Sequence, residues 1–319
     1  MTVRTVLGDV DAASLGAVLV HEHLIIDNAL IARDYEHIHL SSVDEAVAEV
    51  TECAVAGVGC MVDAMPAAGG RHPDRLAEIS RRTGVAIIAT TGLHTPKYYP
   101  HHPWALEADV DTLAQLFIAD IDEGIDQFDY TGPVIDRSEC RAGIIKVATP
   151  EAELTDRCQR VFRAAAIAAD TTGAPILTHC EEGVGAASHV AAFDRLGFPL
   201  HRVVISHTDK VVDRRYHRDL LESGVNLEYD QALRRSTDER NDTAALIADA
   251  VEAGFIGQIM VGTDGARRTL WATLGGSPGL AWMRGGFLAS LDRVGLDADA
   301  VKVIFETNPH RFLELETTP

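Results

Sequence analysis

The sequence predicts an α/β chain folded as one (β/α)8 TIM barrel, a single domain over residues 1–319. Two observations lead there. Eight short apolar segments alternate with helix-like segments along the chain, the pattern of parallel strands joined by crossover helices. Eight alternations favour a closed barrel over a doubly wound sheet, and no linker, repeat or low-complexity tract divides them.

The first strand is "AVLVHEHLII", residues 17–26, where alternation sends His21 and His23 to one side and Glu22 and Leu24 to the other. A helix over 42–56 begins near Ser41 and Ser42 and runs into the break at Gly57. A strand at 58–65, a helix at 71–83 and a strand from 85 follow. A long helix over 104–124 then precedes the strand 142–148, a helix over 153–172 and the strand 174–180. The remaining elements are helices at 185–196, 213–222 and 241–253, and strands at 201–207, 225–230 and 258–264. Residues 265–284, which contain "LGGSPG", form the longest irregular stretch and are expected to lie over the barrel mouth.

Composition narrows the function. With 28 basic and 48 acidic residues the formal charge is -20, which argues against nucleic acid or an anionic membrane as partner. Five cysteines without a CxxC pair fit a reducing compartment rather than a disulfide framework. The start of the chain lacks a signal-like apolar stretch and no run of 18 apolar residues occurs, so a cytoplasmic location is expected.

Polar residues recur at the C-terminal ends of the predicted strands: His21 and His23, then Lys146, His179, His207 and Asp264. A barrel gathers these ends around one opening. Four imidazoles, a carboxylate and a lysine exceed the needs of one tetrahedral ion and suit two adjacent divalent ions with room for water. Lys146 sits between apolar neighbours in "IIKVA", where an ammonium would repel cations. Either it is a neutral nucleophile of the Schiff-base kind, or it is carboxylated to an anion able to bridge two metals; the surrounding histidines favour the second. Asp264 can ligate one ion and accept a proton from its water.

The words "VHEHL", "IIKVA", "ILTHC", "VVISH", "VGTD" and "NPHRFLE", in that order from about residue 7 to residue 316, closely resemble the phosphotriesterase-like family of the amidohydrolase superfamily. The resemblance implies a distorted (β/α)8 barrel with a binuclear centre, usually zinc, with manganese, cobalt or iron in some members. It places His21 and His23 on the more buried ion and His179 and His207 on the more exposed one. N6-carboxylated Lys146 then lies between the two, and Asp264 ligates the buried ion beside a bridging hydroxide. A homodimer is also implied by the resemblance alone.

The expected reaction is attack of the metal-bridging hydroxide on a carbonyl or phosphoryl centre, with Asp264 taking the proton. The tail "GTDGARRTLWATLGGSPG" looks more like the branch that opens sugar lactones, phosphorylated furanose lactones included, than the branch for long acyl lactones. The expected substrate is a small lactone or ester, above all a hydroxylated or anionic five- or six-membered lactone. Phosphotriesterase or carboxylesterase activity is the alternative, and a non-catalytic metal-binding barrel the alternative of a different class. Arg267 and Arg268 are candidates to meet an anion through the guanidinium fork. "KYYPHHPW" offers Lys97, Tyr98 and Tyr99, "EYDQALRR" offers Tyr229, Asp230 and Arg234, and Trp271 is a candidate cavity wall. Neutral Gln231 stands where similar sugar-phosphate lactonases are expected to carry a basic residue, which weakens a phosphate assignment.

Overall fold

A helix with one apolar face returns the chain to the same end of the sheet after each strand, so successive strands can pair in parallel. The computed structural model, which describes residues 2–316, follows this rule around the whole circuit. An antiparallel hairpin, β1 (Thr2–Thr5) and β2 (Gly8–Asp11), comes first. The barrel strands are β3 (Ala17–Glu22), β4 (Val58–Asp63), β5 (Ala86–Leu93), β6 (Ala142–Thr149), β7 (Ile176–Cys180), β8 (Val203–Ser206), β9 (Asn226–Tyr229) and β10 (Ile259–Val261). Each pairs in parallel with its neighbour in chain order. The ring closes where the N–H groups of Thr263 and Asp264 donate to the carbonyl of His21, at 3.1 and 2.9 Å. This is the (β/α)8 barrel that the alternation predicts.

Local chemistry fixes the helix starts. Ser42 accepts the N–H of Glu45, Thr155 that of Cys158 and Asn241 that of Ala244, so each helix opens on a side chain that satisfies one of its free donors. The same device divides the segment expected as one helix over 104–124. Asp109 accepts the N–H of Thr112 and restarts the chain, leaving a short helix at Pro103–Glu107 and a second at Val110–Asp122.

The strands carry two cores. Inward side chains Val18, Val20, Cys60, Val62, Ile88, Ile144, Leu177, Val204 and Met260 fill the barrel, and Val3, Ala12, Leu15, Phe312 and Leu313 extend this cluster beneath them. Outward side chains pack the helices in a second, larger cluster. The irregular stretch 265–284 starts at the mouth, where Ala266 and Arg267 line the cavity, and is tied down beyond it. Buried Glu49, on the helix Val43–Val55, accepts the N–H groups of Thr273 and Leu280 at 3.0 and 2.8 Å.

Candidate metal centre

Alternation aims most of the site. On β6 the inner position after Ile144 is Lys146, and on β7 the inner position after Leu177 is His179. β3 departs from alternation: its register against β4 shifts between Leu19 and Glu22, so Val20 joins the inner cluster and His21 still turns inward. Bulges next to active sites commonly re-aim a side chain in this way. His207 and Asp264 lie just past β8 and β10 and take left-handed backbone conformations, φ 63° and 43°, which are unfavourable for residues other than glycine. Both are held there, His207 by donating its N–H to Asp230 Oδ2 at 3.0 Å and Asp264 by its bond to His21. Gly262 leaves room for this packing, since a β-carbon on it would stand 2.8 Å from His21 Cβ.

The six expected ligands meet. His21 Nε2 lies 2.9 Å from Lys146 Nζ and 3.9 Å from Asp264 Oδ1, which is 3.5 Å from His23 Nε2. His207 Nε2 lies 2.8 Å from His179 Nδ1, and the rings of His21 and His207 are 5.0 Å apart. Two triplets, His21–His23–Asp264 and His21–His207–Asp230, bring one donor atom from each member within 4.8 Å of the others. Sequence reasoning left Glu228 out and named Asp230 without a metal role. Glu228 Oε2 lies 3.3 Å from His21 Nδ1, and Asp230 Oδ2 lies 2.7 Å from His207 Nδ1. A carboxylate on Nδ1 fixes the tautomer and leaves the Nε2 lone pair for a metal.

Electrostatics favours cation binding. Burial holds His21 and His179 well below the usual histidine range and brings His23 down to about 3, so these imidazoles are neutral donors at pH 7. Burial also lowers Lys146 to about 8, against the pull of Asp264. Burial pushes the Asp264 carboxyl up, but Arg234 and His207 outweigh it and keep the group anionic. Neutral imidazoles beside a carboxylate, with acids behind them, fit divalent ions and could hold them.

Above these groups opens a cavity of about 410 Å³. Of the eight side chains expected at the substrate, Lys97, Tyr98, Arg234 and Arg267 line it. Two of these are committed elsewhere: Lys97 pairs with Glu181 at 3.2 Å, and Arg234 donates to Asp264 Oδ2 at 2.8 Å and to the carbonyls of Thr263 and Asp264. The other four are turned away. Tyr229 takes the outward alternation of β9, with its hydroxyl 3.1 Å from His217 Nδ1. Trp271 is buried with Nε1 donating to Gly265, Arg268 donates to the carbonyl of His39, and Tyr99 donates to the carbonyl of Ala67. His94, Glu181, Glu182 and Lys210, which sequence reasoning did not place at the substrate, also line the cavity.

A (β/α)8 barrel with this donor set at the C-terminal ends of its strands defines a metal-dependent barrel whose open face carries the chemistry. The chain belongs to the Phosphotriesterase family, whose model matches residues 1–313. It is 30% identical to the phospho-furanose lactonase of Mycoplasmopsis synoviae over 326 aligned residues, covering 98% of this chain and 92% of that one. The crystal structure of a lactonase from Listeria monocytogenes superposes with a TM-score of 0.89 at 25% identity, over 99% of this chain and 100% of the other. The phosphotriesterase homology protein of Escherichia coli, solved with phosphate in its active site, gives a TM-score of 0.85 at 25% identity, over 94% of this chain and 99% of the other.

Proposed function

We propose that the chain is a metal-dependent lactonase that opens a hydroxylated or anionic five- or six-membered lactone. The observation that carries this reading is the set of six strand-end residues beneath a cavity with two uncommitted cations. Among the described residues, neither Arg267 nor Lys210 has a carboxylate partner, and both line the cavity. They supply an anion-binding rim that Gln231 does not, and the names of the lactonase relatives point the same way.

His21, His23 and Asp264 would hold one divalent ion, and His179 and His207 a second. Lys146, whose Nζ lies 2.9 Å from His21 Nε2, would serve both ions. Two such ions, zinc in this reading, supply an activated water and polarise the substrate carbonyl when bound. Lys146 is completely buried and its Nζ meets one acceptor, His21 Nε2, among the described residues. An ammonium with three hydrogens is poorly satisfied there, whereas the neutral amine can add CO2, lose a proton and become the bridging carbamate. Asp264, oriented by Arg234, takes the proton of the attacking water. The same reading makes the chain one barrel domain and a cytoplasmic homodimer without a nucleic-acid or membrane partner. The charge of -20 supports the lack of a nucleic-acid or anionic-membrane partner, and no helix among the described residues is long and apolar enough to cross a membrane.

The test joins metal analysis to a substrate panel. Protein purified without chelator should carry two divalent ions per chain, and lactones varied in ring size, hydroxylation, phosphate and acyl length should be read beside an aryl phosphotriester. The highest kcat/KM is expected for a hydroxylated or anionic small-ring lactone. A preference for the phosphotriester or for long acyl lactones would overturn the substrate class, and one ion at saturation would overturn the binuclear centre.

A further inference from the structure

On β5, Ile88 joins the inner cluster while Ile87, Ala89 and Leu93 pack in the outer one, and His94 follows one residue past the strand. Its ring is buried at the cavity wall, 4.6 Å from the ring of His179 and 4.5 Å from that of Tyr98. We propose that His94 is a catalytic hydrogen-bond donor, its Nε2–H meeting the carbonyl oxygen of the scissile ester beside His179. The proposal rests on the lactonase reading above and adds to it a residue that does not ligate metal.

The tautomer follows from one contact. The backbone N–H of Thr95 donates to His94 Nδ1 at 2.7 Å, and Thr95 Oγ1 lies 3.1 Å from the same atom. A backbone N–H can only donate, so Nδ1 must accept, and the single proton of the neutral ring sits on Nε2. That second nitrogen has no acceptor among the described protein groups and is not among their sealed, unpartnered polar atoms, so it opens on the cavity. The backbone is equally fixed. His94 donates its N–H to Tyr99 Oη at 2.7 Å, Tyr99 Oη donates to the carbonyl of Ala67 at 3.1 Å, and Arg157 donates to the carbonyl of His94 at 3.1 Å.

Other groups on this wall are less suited to the task. Lys97 and Glu181 satisfy one another, and Glu181 also accepts from His179 at 3.0 Å. His94 therefore offers a neutral donor whose direction is set before substrate arrives. A fixed donor aimed where charge develops stabilises the transition state without reorganisation. His94 keeps its proton throughout: the hydrogen bond strengthens as the carbonyl oxygen gains charge, and no bond to nitrogen breaks.

The experiment uses the metal-loaded chain, His94→Phe, His94→Gln and the best lactone of the panel, together with 15N–1H correlation of the histidine rings in metal-free protein. His94→Phe should lower kcat by about 10²–10³-fold, the loss typical of one oxyanion donor. Its KM should stay within about threefold and its metal content should match the parent. His94→Gln, whose amide N–H can occupy the Nε2 position, should recover kcat to within about tenfold of the parent, and the ring spectrum should show His94 protonated on Nε2. An Nδ1–H tautomer, unchanged kcat in His94→Phe, or loss of metal along with activity would overturn the proposal. If the parent opens no lactone, the functional reading fails separately. The tautomer then decides whether His94 presents a donor to the cavity, Nε2–H supporting it and Nδ1–H overturning it.

Discussion

The lower and upper halves of the barrel interior come from the same strands and the residues just past them, two to four positions apart, yet differ completely in chemistry. Below, Ile144, Leu177, Val204 and Met260 form a dry apolar plug. Above, Lys146, His179, His207 and Asp264 converge with Glu228 and Asp230, the last two without solvent exposure. Burying ionisable groups is costly unless they are paired, and the upper layer pairs most of its members: Asp63 accepts the N–H of Leu24 at 2.7 Å, and Glu22 that of Thr263 at 2.9 Å. Glu228 Oε1 is an exception, buried without a partner. The lower layer thus serves stability, and the upper layer gives up stability to hold cation-binding groups in place.

The largest test of that division is Asp264→Asn. It should lower kcat/KM by about 10²–10⁴-fold, the usual contribution of a general base, while the thermal midpoint changes little. Steady-state kinetics beside calorimetry checks both halves of the statement. A midpoint drop as severe as that from a lost core leucine would mean that the layers are not separable.

The converse change is Leu177→Ala, two residues below His179. Removing a fully buried leucine side chain should cost about 2–5 kcal/mol of stability, read by denaturant unfolding, with the number of metal ions per folded chain unchanged. Loss of one ion per chain would show that the lower layer sets ligand positions as well.

A smaller effect is expected from Glu228→Gln, which keeps the shape of the side chain but exchanges the acid behind His21 for an amide. Metal affinity should fall by about 10–100-fold in a chelator competition, the usual cost of losing a partner behind a metal-binding histidine. Unchanged affinity would reduce Glu228 to a packing residue.

How far these layers could be read in the sequence depends on whether alternation survives. From inward Ile144 and Leu177 onward the strands alternate regularly, so Lys146 and His179 are found by counting in twos. Asn226, Glu228 and Asp230 carry the same signal, and His94 shares the parity of inward Ile88; in each the parity was available. That parity also sends Tyr229 outward. The register shift in β3 is different, because a local irregularity lets Val20 and His21 face the same way. Contacts distant in sequence hide the rest. Glu49 captures a loop more than 220 residues away, Trp271 turns its Nε1–H to the carbonyl of Gly265, and Arg234 is drawn to Asp264 rather than left for an anion.

The smallest expected effect lies at the rim, where the upper layer meets solvent. Arg267 is exposed, lines the cavity and has no carboxylate partner among the described residues, whereas Arg268, beside it, spends its guanidinium on the carbonyl of His39. An exposed guanidinium is well solvated, so its gain from binding an anion is modest and weakened by salt. Arg267→Ala should therefore raise KM for an anionic lactone by roughly tenfold or less, leave the neutral analogue within about twofold, and lose the difference at high ionic strength. Arg268→Ala should not discriminate between the two substrates. Equal KM changes on both lactones for Arg267→Ala would remove it as the anion reader and leave Lys210, the other uncommitted cation on the wall, to be tested by the same pair of substrates.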